Sequence, residues 1–95
     1  MEANLFLIAR EAVTNALKHA SATRIRLELC YTPRELHLTI QDDGAGFEPE
    51  EAAAKAGHFG LHGMQERARL IRGRFSVNSA PGSGTTIEVA VGWKK

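Results

Sequence analysis

Leu36-His37-Leu38-Thr39-Ile40 alternates apolar and polar side chains, the pattern of a strand with one face against a core. The alternation runs straight into Gln41-Asp42-Asp43-Gly44-Ala45-Gly46-Phe47 and sets Asp42 on the face of Leu36, Leu38 and Ile40. An ionised carboxylate on an apolar face costs free energy unless hydrogen-bond donors meet it. The two glycines that follow allow positive φ and let the backbone approach a ligand without a Cβ in the way. A strand-end acceptor beside such a turn suits a ligand that carries an N–H, an amine or a nucleobase. The same residues also fit a plain capped turn, with Asp42 bonding its own backbone.

The rest of the chain supplies a sheet and a cover for that strand. Arg24 to Tyr31 alternates too, with Ile25, Leu27, Leu29 and Tyr31 on one face and Arg24, Arg26, Glu28 and Cys30 on the other. Thr32-Pro33-Arg34-Glu35 is a turn, so the two strands form an antiparallel hairpin. Upstream, Leu5, Ile8, Ala9, Ala12, Val13, Ala16, Leu17 and Ala20 recur at three- and four-residue steps, which predicts a helix over Ala3 to Ala20. Its other side carries Asn4, Glu11, Asn15 and Lys18 in one line, with His19 at the border. Phe6 and Leu7 widen the apolar coverage, as expected of a surface that also meets something outside this stretch.

After Phe47, Glu48 to His58 is polar and Ala-rich and is expected to be a mobile segment. Phe59 to Met64 leads into a second helix to about Arg72, with Leu61, Met64, Ala68 and Ile71 inward, Glu66, Arg67, Arg69 and Arg72 toward water, and Gly73 as its stop. Arg74 to Ser79 is a strand with Phe75 and Val77 inward. Ala80 to Gly84 is a turn, and Thr85 to Val91 is a strand with Thr85, Ile87, Val89 and Val91 inward. The order predicts one α+β domain over residues 1–95, a two-layer sandwich with helices on one face of a mixed, mostly antiparallel sheet.

Composition excludes several classes. At 43% hydrophobic and 24% charged the chain is no disordered segment, and a net charge of +1 gives no reason to expect nucleic acid or membrane as a partner. Cys30 is the single cysteine, so no intrachain disulfide forms. A reducing, cytoplasmic setting is expected, and a partly buried, unreactive thiol. No apolar run is long enough to span a bilayer and no signal peptide is visible. The chain opens directly into helical sequence, as a fragment of a longer protein would. His37, His58 and His62 lack partners at metal-ligand spacing, and Ser21, Ser76, Ser79 and Ser83 lack a nucleophile elbow.

Asp42, the Gly60/Gly63 pair and Thr85 each sit at an element end beside glycines, and the first helix offers its polar line. If they share one cavity, a base amine donates to Asp42, with Thr85 supporting that carboxylate. Backbone N–H groups from Gly60 to Gly63, opening a helix, receive phosphate oxygens. The neutral Asn15 carbonyl suits Mg²⁺, Lys18 adds charge for the phosphates, and Glu11 is placed to accept a proton from a nucleophile. Taken singly, Glu11 and Lys18 better suit a solvated helix face, and Lys18-His19 a helix C-terminal cation pair.

Four runs carry a family resemblance. Arg10-Glu11-Ala12-Val13-Thr14-Asn15-Ala16-Leu17-Lys18-His19-Ala20 resembles the N box of the histidine-kinase, gyrase and Hsp90-like ATPases. Asp42-Asp43-Gly44-Ala45-Gly46-Phe47 is similar to their G1 box. Gly60-Leu61-His62-Gly63-Met64 with Glu66-Arg67-Ala68 is similar to the G2 box, and Gly82-Ser83-Gly84-Thr85-Thr86 to the G3 box. The wording is most similar to sensor kinases paired with LuxR/NarL-type response regulators. The resemblance implies the Bergerat fold, ATP with Mg²⁺, and γ-phosphoryl transfer to a histidine on a separate dimerisation domain, then to a response regulator. It implies Glu11 as base and Asn15 as metal ligand, with Lys18 and His19 beside the nucleotide. It implies Asp42 and Thr85 at adenine, Gly44, Gly46, Gly60, Leu61 and Gly63 shaping the pocket, and a lid over roughly Glu48 to Phe59.

Asp43 stands where many members have Asn, and the alternation turns it away from the base site. His58-Phe59 stands where Gly-x-Gly is common. The dimerisation helices with their phosphoacceptor histidine are absent from this stretch, which is therefore expected to be inactive alone, with a parent kinase either soluble or membrane-anchored. Two other readings stay open on sequence: a serine kinase of the anti-sigma-factor type, and a non-catalytic nucleotide-binding interaction module.

Overall fold

Hydrophobic spacing builds the elements where it predicts them. The computed structural model describes residues 2–18, 21–46 and 60–92. Helix α1 (Glu2–Lys18) buries Leu5, Ile8, Ala12 and Ala16, the centre of its apolar face. The segment leaves the helix through Ser21 at φ 52, with the Ala22 N–H still reaching the Ala16 carbonyl at 3.2 Å. Strands β1 (Ile25–Tyr31) and β2 (Glu35–Asp42) follow as an antiparallel hairpin. Its turn is fastened by Thr32, whose Oγ1 accepts the Glu35 N–H at 2.8 Å and whose own N–H donates to the Glu35 carbonyl at 2.8 Å. Helix α2 (Leu61–Leu70), β3 (Arg74–Ser79) and β4 (Thr85–Gly92) complete the described chain.

The sheet order is β1-β2-β4-β3, and all three pairings among the described residues are antiparallel, in keeping with the mostly antiparallel sheet expected. The last strand takes a central place because Ile87, Val89 and Val91 bury fully between two neighbours, while β3, whose inner residues Phe75, Val77 and Ser79 are only half-buried, takes an edge. Both helices lie on one face. Ile8, Met64 and Val89, from α1, α2 and β4, are the largest fully buried side chains, so the core sits where the two helices meet the middle of the sheet. Burying each such side chain stabilises the fold by roughly 1.5–3 kcal/mol.

The helix layer reaches β1 only at Ile25, which packs against the core. Leu27, Leu29 and Tyr31 share the inner face through their pairs Ile40, Leu38 and Leu36, yet they are 53%, 45% and 65% exposed. Cys30, expected to be partly buried, is exposed: it lies on the face without helices, across from His37. On that same face Glu35 reaches over β4, where its neighbours are the small residues Gly92 and Ala90, to a two-pronged ion pair with Arg74 at 2.7 and 3.1 Å. The Arg74 bonds, then His37, pull the Glu35 carboxyl down to about 2.

Helix α2 stops two residues short of the expected Arg72. Arg72 takes the left-handed φ of 58, its N–H donates to the Arg69 carbonyl, and the Gly73 N–H donates to the Ala68 carbonyl at 2.8 Å. Gly73 is needed beside this stop, not at it, because a Cβ there would press on Val91 and the Ala90 carbonyl. Arg67, expected in water, is half-buried and turns to α1, 3.5 Å from the Asn4 side-chain oxygen.

Candidate functional site at the end of the sheet

Register puts four residues in one row. Ile25 pairs with Asp42, Asp42 with Thr85, and Thr85 with Ser79, so their side chains share the helix-facing side at the sheet's rim. Leu36, Leu38 and Ile40 are buried as the alternation requires, and Asp42, last in that series, is half-buried. Its Oδ1 accepts the Gly44 N–H at 2.8 Å. The capped turn weighed at the sequence level is therefore present, and it orients the carboxylate. Thr85 is buried, with its hydroxyl 2.8 Å from that of Ser79.

Asp43 points the other way, as its parity predicts. Its carboxylate accepts the Thr23 and Arg24 N–H groups at 2.9 Å each and the Thr23 hydroxyl at 2.7 Å. These bonds, the Thr23 hydroxyl first and the Arg24 N–H next, hold the Asp43 carboxyl below its ordinary range. They also tie the segment after α1 to the end of β2, so the helix's C-terminal end lies beside the Asp42 turn.

Two glycines make the turns interlock. Gly46, at φ +71, lies against the Ala80 carbonyl so closely that a Cβ would collide with it. Gly84, at φ +74, lies equally close to the Asp42 carbonyl, and the Gly82 N–H donates to the Ala45 carbonyl. Gly84 was not singled out from the sequence as a site-shaping residue. Its signal is its place directly before Thr85, whose strand partner is Asp42.

The polar line of α1 faces the second helix. Asn4, Glu11 and Asn15 are half-buried and Lys18 is exposed. A Cβ on Gly60 would stand 2.5 Å from Glu11 Oε2, and Gly60 itself has φ +64 as the residue capping α2. Glu11 and the start of α2 are thus in direct contact. Leu61 puts its side chain in the core, which leaves its backbone N–H, in the first helical turn, as what it can offer a ligand. A Cβ on Gly63 would meet no atom within 4 Å, so that side of α2 is open. Gly44 donates its N–H to Asp42. His19 and the expected lid, Glu48 to Phe59, lie outside the described residues.

The described part of the site holds the acceptors Asp42 and Thr85 at the sheet's rim, Asn15 and Lys18 on the last turns of α1, and Glu11 against the opening turn of α2. Among the described residues no three His, Cys, Asp or Glu side chains converge on a metal position. None of the described helices is long and apolar enough to cross a membrane.

The sequence profile of the histidine kinase-, DNA gyrase B-, and HSP90-like ATPases matches residues 1–94. Sensor histidine kinase YdfH of Bacillus subtilis is 44% identical over 89 residues, 93% of this chain and 22% of that protein. Sensor protein VraS of Staphylococcus aureus is 42% identical over 94% of this chain and 25% of its own length. The chain therefore spans about a quarter of the curated relatives that it matches. The crystal structure of the ATP-binding domain of PrrB from Mycobacterium tuberculosis superposes with a TM-score of 0.79 at 25% identity, over 98% of this chain and 69% of that one. The histidine kinase domain of a blue-light activated kinase from Erythrobacter litoralis superposes at 0.76, with 21% identity over 93% of this chain and 42% of that one, and shares the fold. With nearly every residue inside the profile and the same two-layer architecture in its structural neighbours, this chain belongs to the histidine kinase-, DNA gyrase B-, and HSP90-like ATPase family.

Proposed function

We propose that this chain is the ATP-binding catalytic domain of a sensor histidine kinase, which holds MgATP and presents its γ-phosphoryl group to a histidine on a separate dimerisation domain. The observation that carries the reading is the Asp42–Thr85 strand pair, a half-buried carboxylate beside a buried hydroxyl, locked by Gly84. A carboxylate is an acceptor on both oxygens, and Gly44 fixes the orientation of this one, so it favours a base with an exocyclic amine.

From the last turn of α1, Lys18 contributes positive charge, and the first N–H groups of α2, from Gly60 to Gly63, receive phosphate oxygens. Asn15 would hold Mg²⁺. A lone amide suits an ion that arrives with phosphates and waters, which is the donor set expected where no carboxylate cluster converges. Bound there, the ion would neutralise charge on the phosphates. Glu11, resting on Gly60 at the mouth of α2, takes the proton from the incoming imidazole. Phosphoryl transfer is mainly positioning and charge neutralisation, so these residues need supply little covalent chemistry.

The partners that follow are the parent's dimerisation domain and a downstream response regulator, of LuxR/NarL type by the wording of the motifs. The setting is cytoplasmic. Calorimetric titration with a non-hydrolysable ATP analogue, with and without Mg²⁺, tests the reading. Saturable one-site binding strengthened by Mg²⁺ is expected. No binding at millimolar analogue would overturn it.

A further inference from the structure

Ser79 was set aside at the sequence level because it has no nucleophile setting, yet it stands at the end of the row that holds Asp42 and Thr85. Its Oγ lies 3.0 Å from the Gly84 carbonyl oxygen and 2.8 Å from Thr85 Oγ1. A serine hydroxyl has one proton, and a carbonyl oxygen can only accept. With both bonds made, the Ser79 proton goes to Gly84, and Thr85 must donate its own proton to Ser79. The Gly84 carbonyl is a firm anchor, because Gly84 sits at φ +74 where a Cβ would collide with the Asp42 carbonyl, so no other residue type fits there.

We infer that Ser79 is a positioning residue that fixes the direction of the Thr85 hydroxyl proton and so makes the base end of the site accept only. The inference rests on the nucleotide-site reading above and extends it. Thr85 then turns lone pairs, and not its proton, toward a ligand, beside a carboxylate that also accepts. A 6-amino purine meets two acceptors with a donor. A 6-oxo purine held in the same orientation turns an acceptor to them at that position and is disfavoured. Without Ser79 the Thr85 hydroxyl is released to rotate and donate to an oxo group, so the rejection weakens. Ser79 itself touches no nucleotide in this scheme.

The test is the ratio of ADP to GDP affinity, by calorimetry, in the wild-type chain, Ser79→Ala, Ser79→Cys, Ser79→Thr, Thr85→Val and the double variant Ser79→Ala/Thr85→Val, with melting curves for each. Ser79→Ala and Ser79→Cys are expected to lower the ratio about fivefold, one ordinary hydrogen bond's worth, at near-wild-type melting temperatures. Ser79→Thr keeps the ratio. In the Thr85→Val background, Ser79→Ala has no further effect, because it acts through that hydroxyl. Wild-type discrimination retained in both Ser79→Ala and Ser79→Cys, or effects that add across the cycle, overturns the role of Ser79 while leaving the nucleotide site standing. A wild-type chain that binds neither nucleotide overturns the site reading itself, and the inference with it.

Discussion

The Glu11 carboxylate rests on Gly60 so closely that a Cβ there would stand 2.5 Å from Oε2 and 2.8 Å from Cδ. The contact joins the polar line of the first helix to the mouth of the second. It requires a residue without a side chain that also tolerates φ +64, and glycine alone meets both conditions.

Gly60→Ala is therefore expected to lose roughly 1–2 kcal/mol of stability from the left-handed backbone alone. Glu11 has a flexible side chain and will swing aside, so phosphotransfer falls further than nucleotide affinity does. Urea unfolding and a transfer assay against the dimerisation domain measure the two effects. A variant as stable and as active as the wild type would remove the contact from the mechanism.

Glu11→Gln keeps the shape beside Gly60 and removes the base. Nucleotide binding should be nearly unchanged, while transfer to a separately supplied histidine domain slows by about 10²–10⁴, the usual worth of a general base. Single-turnover kinetics separate these. Equal transfer rates would take Glu11 out of the chemistry.

Asp42→Asn leaves a carbonyl oxygen for the Gly44 N–H and so turns the new NH₂ toward the ligand's amine. Donor then faces donor. Loss of a hydrogen bond to a charged group is worth about 1.5–3 kcal/mol, a drop in ATP affinity of roughly ten- to over a hundredfold. Calorimetry checks it, and unchanged affinity would refute the pocket.

Glu35 and Asp43 are both held below their ordinary ranges, Glu35 by Arg74 first and Asp43 by Thr23 first. A depressed carboxyl stabilises the fold above its unfolded value and loses that contribution as pH falls through its folded value. For Glu35 the window runs from 4.5 down to about 2. The gap in melting temperature between wild type and Arg74→Met should be constant above about pH 5 and close across that window. Asp43→Ala should show its gap closing below 3.8. Asp43 is exposed and Glu35, though half-buried, pairs with an exposed Arg74, so the gaps shrink with salt. A gap that widens on acidification would contradict the ion-pair account.

Much of this was readable in the residues, because periodicity is a local property. The parity of Leu36 to Asp42 set Asp42 inward and Asp43 outward, and the structure has both, with Asp43 held by Thr23 and Arg24. The three-four spacing of Leu5, Ile8, Ala12 and Ala16 set the buried face of α1, and the order of elements gave the two-layer sandwich.

Periodicity is silent on which strand lies at an edge and how far a helix layer extends. Hence Leu27, Leu29 and Tyr31 share one face with Ile25, as their spacing requires, and yet stand exposed, and Cys30, expected to be partly buried, is open. The polar line of α1 also suits a solvated face by its spacing, and docking against α2 decides otherwise for Glu11. The row that joins Ser79 and Thr85 to Asp42 depends on placing β4 between β2 and β3, a choice made by the whole sheet's burial. Spacing along the chain determines which face a side chain takes; what it meets on that face is fixed only when distant strands choose their neighbours.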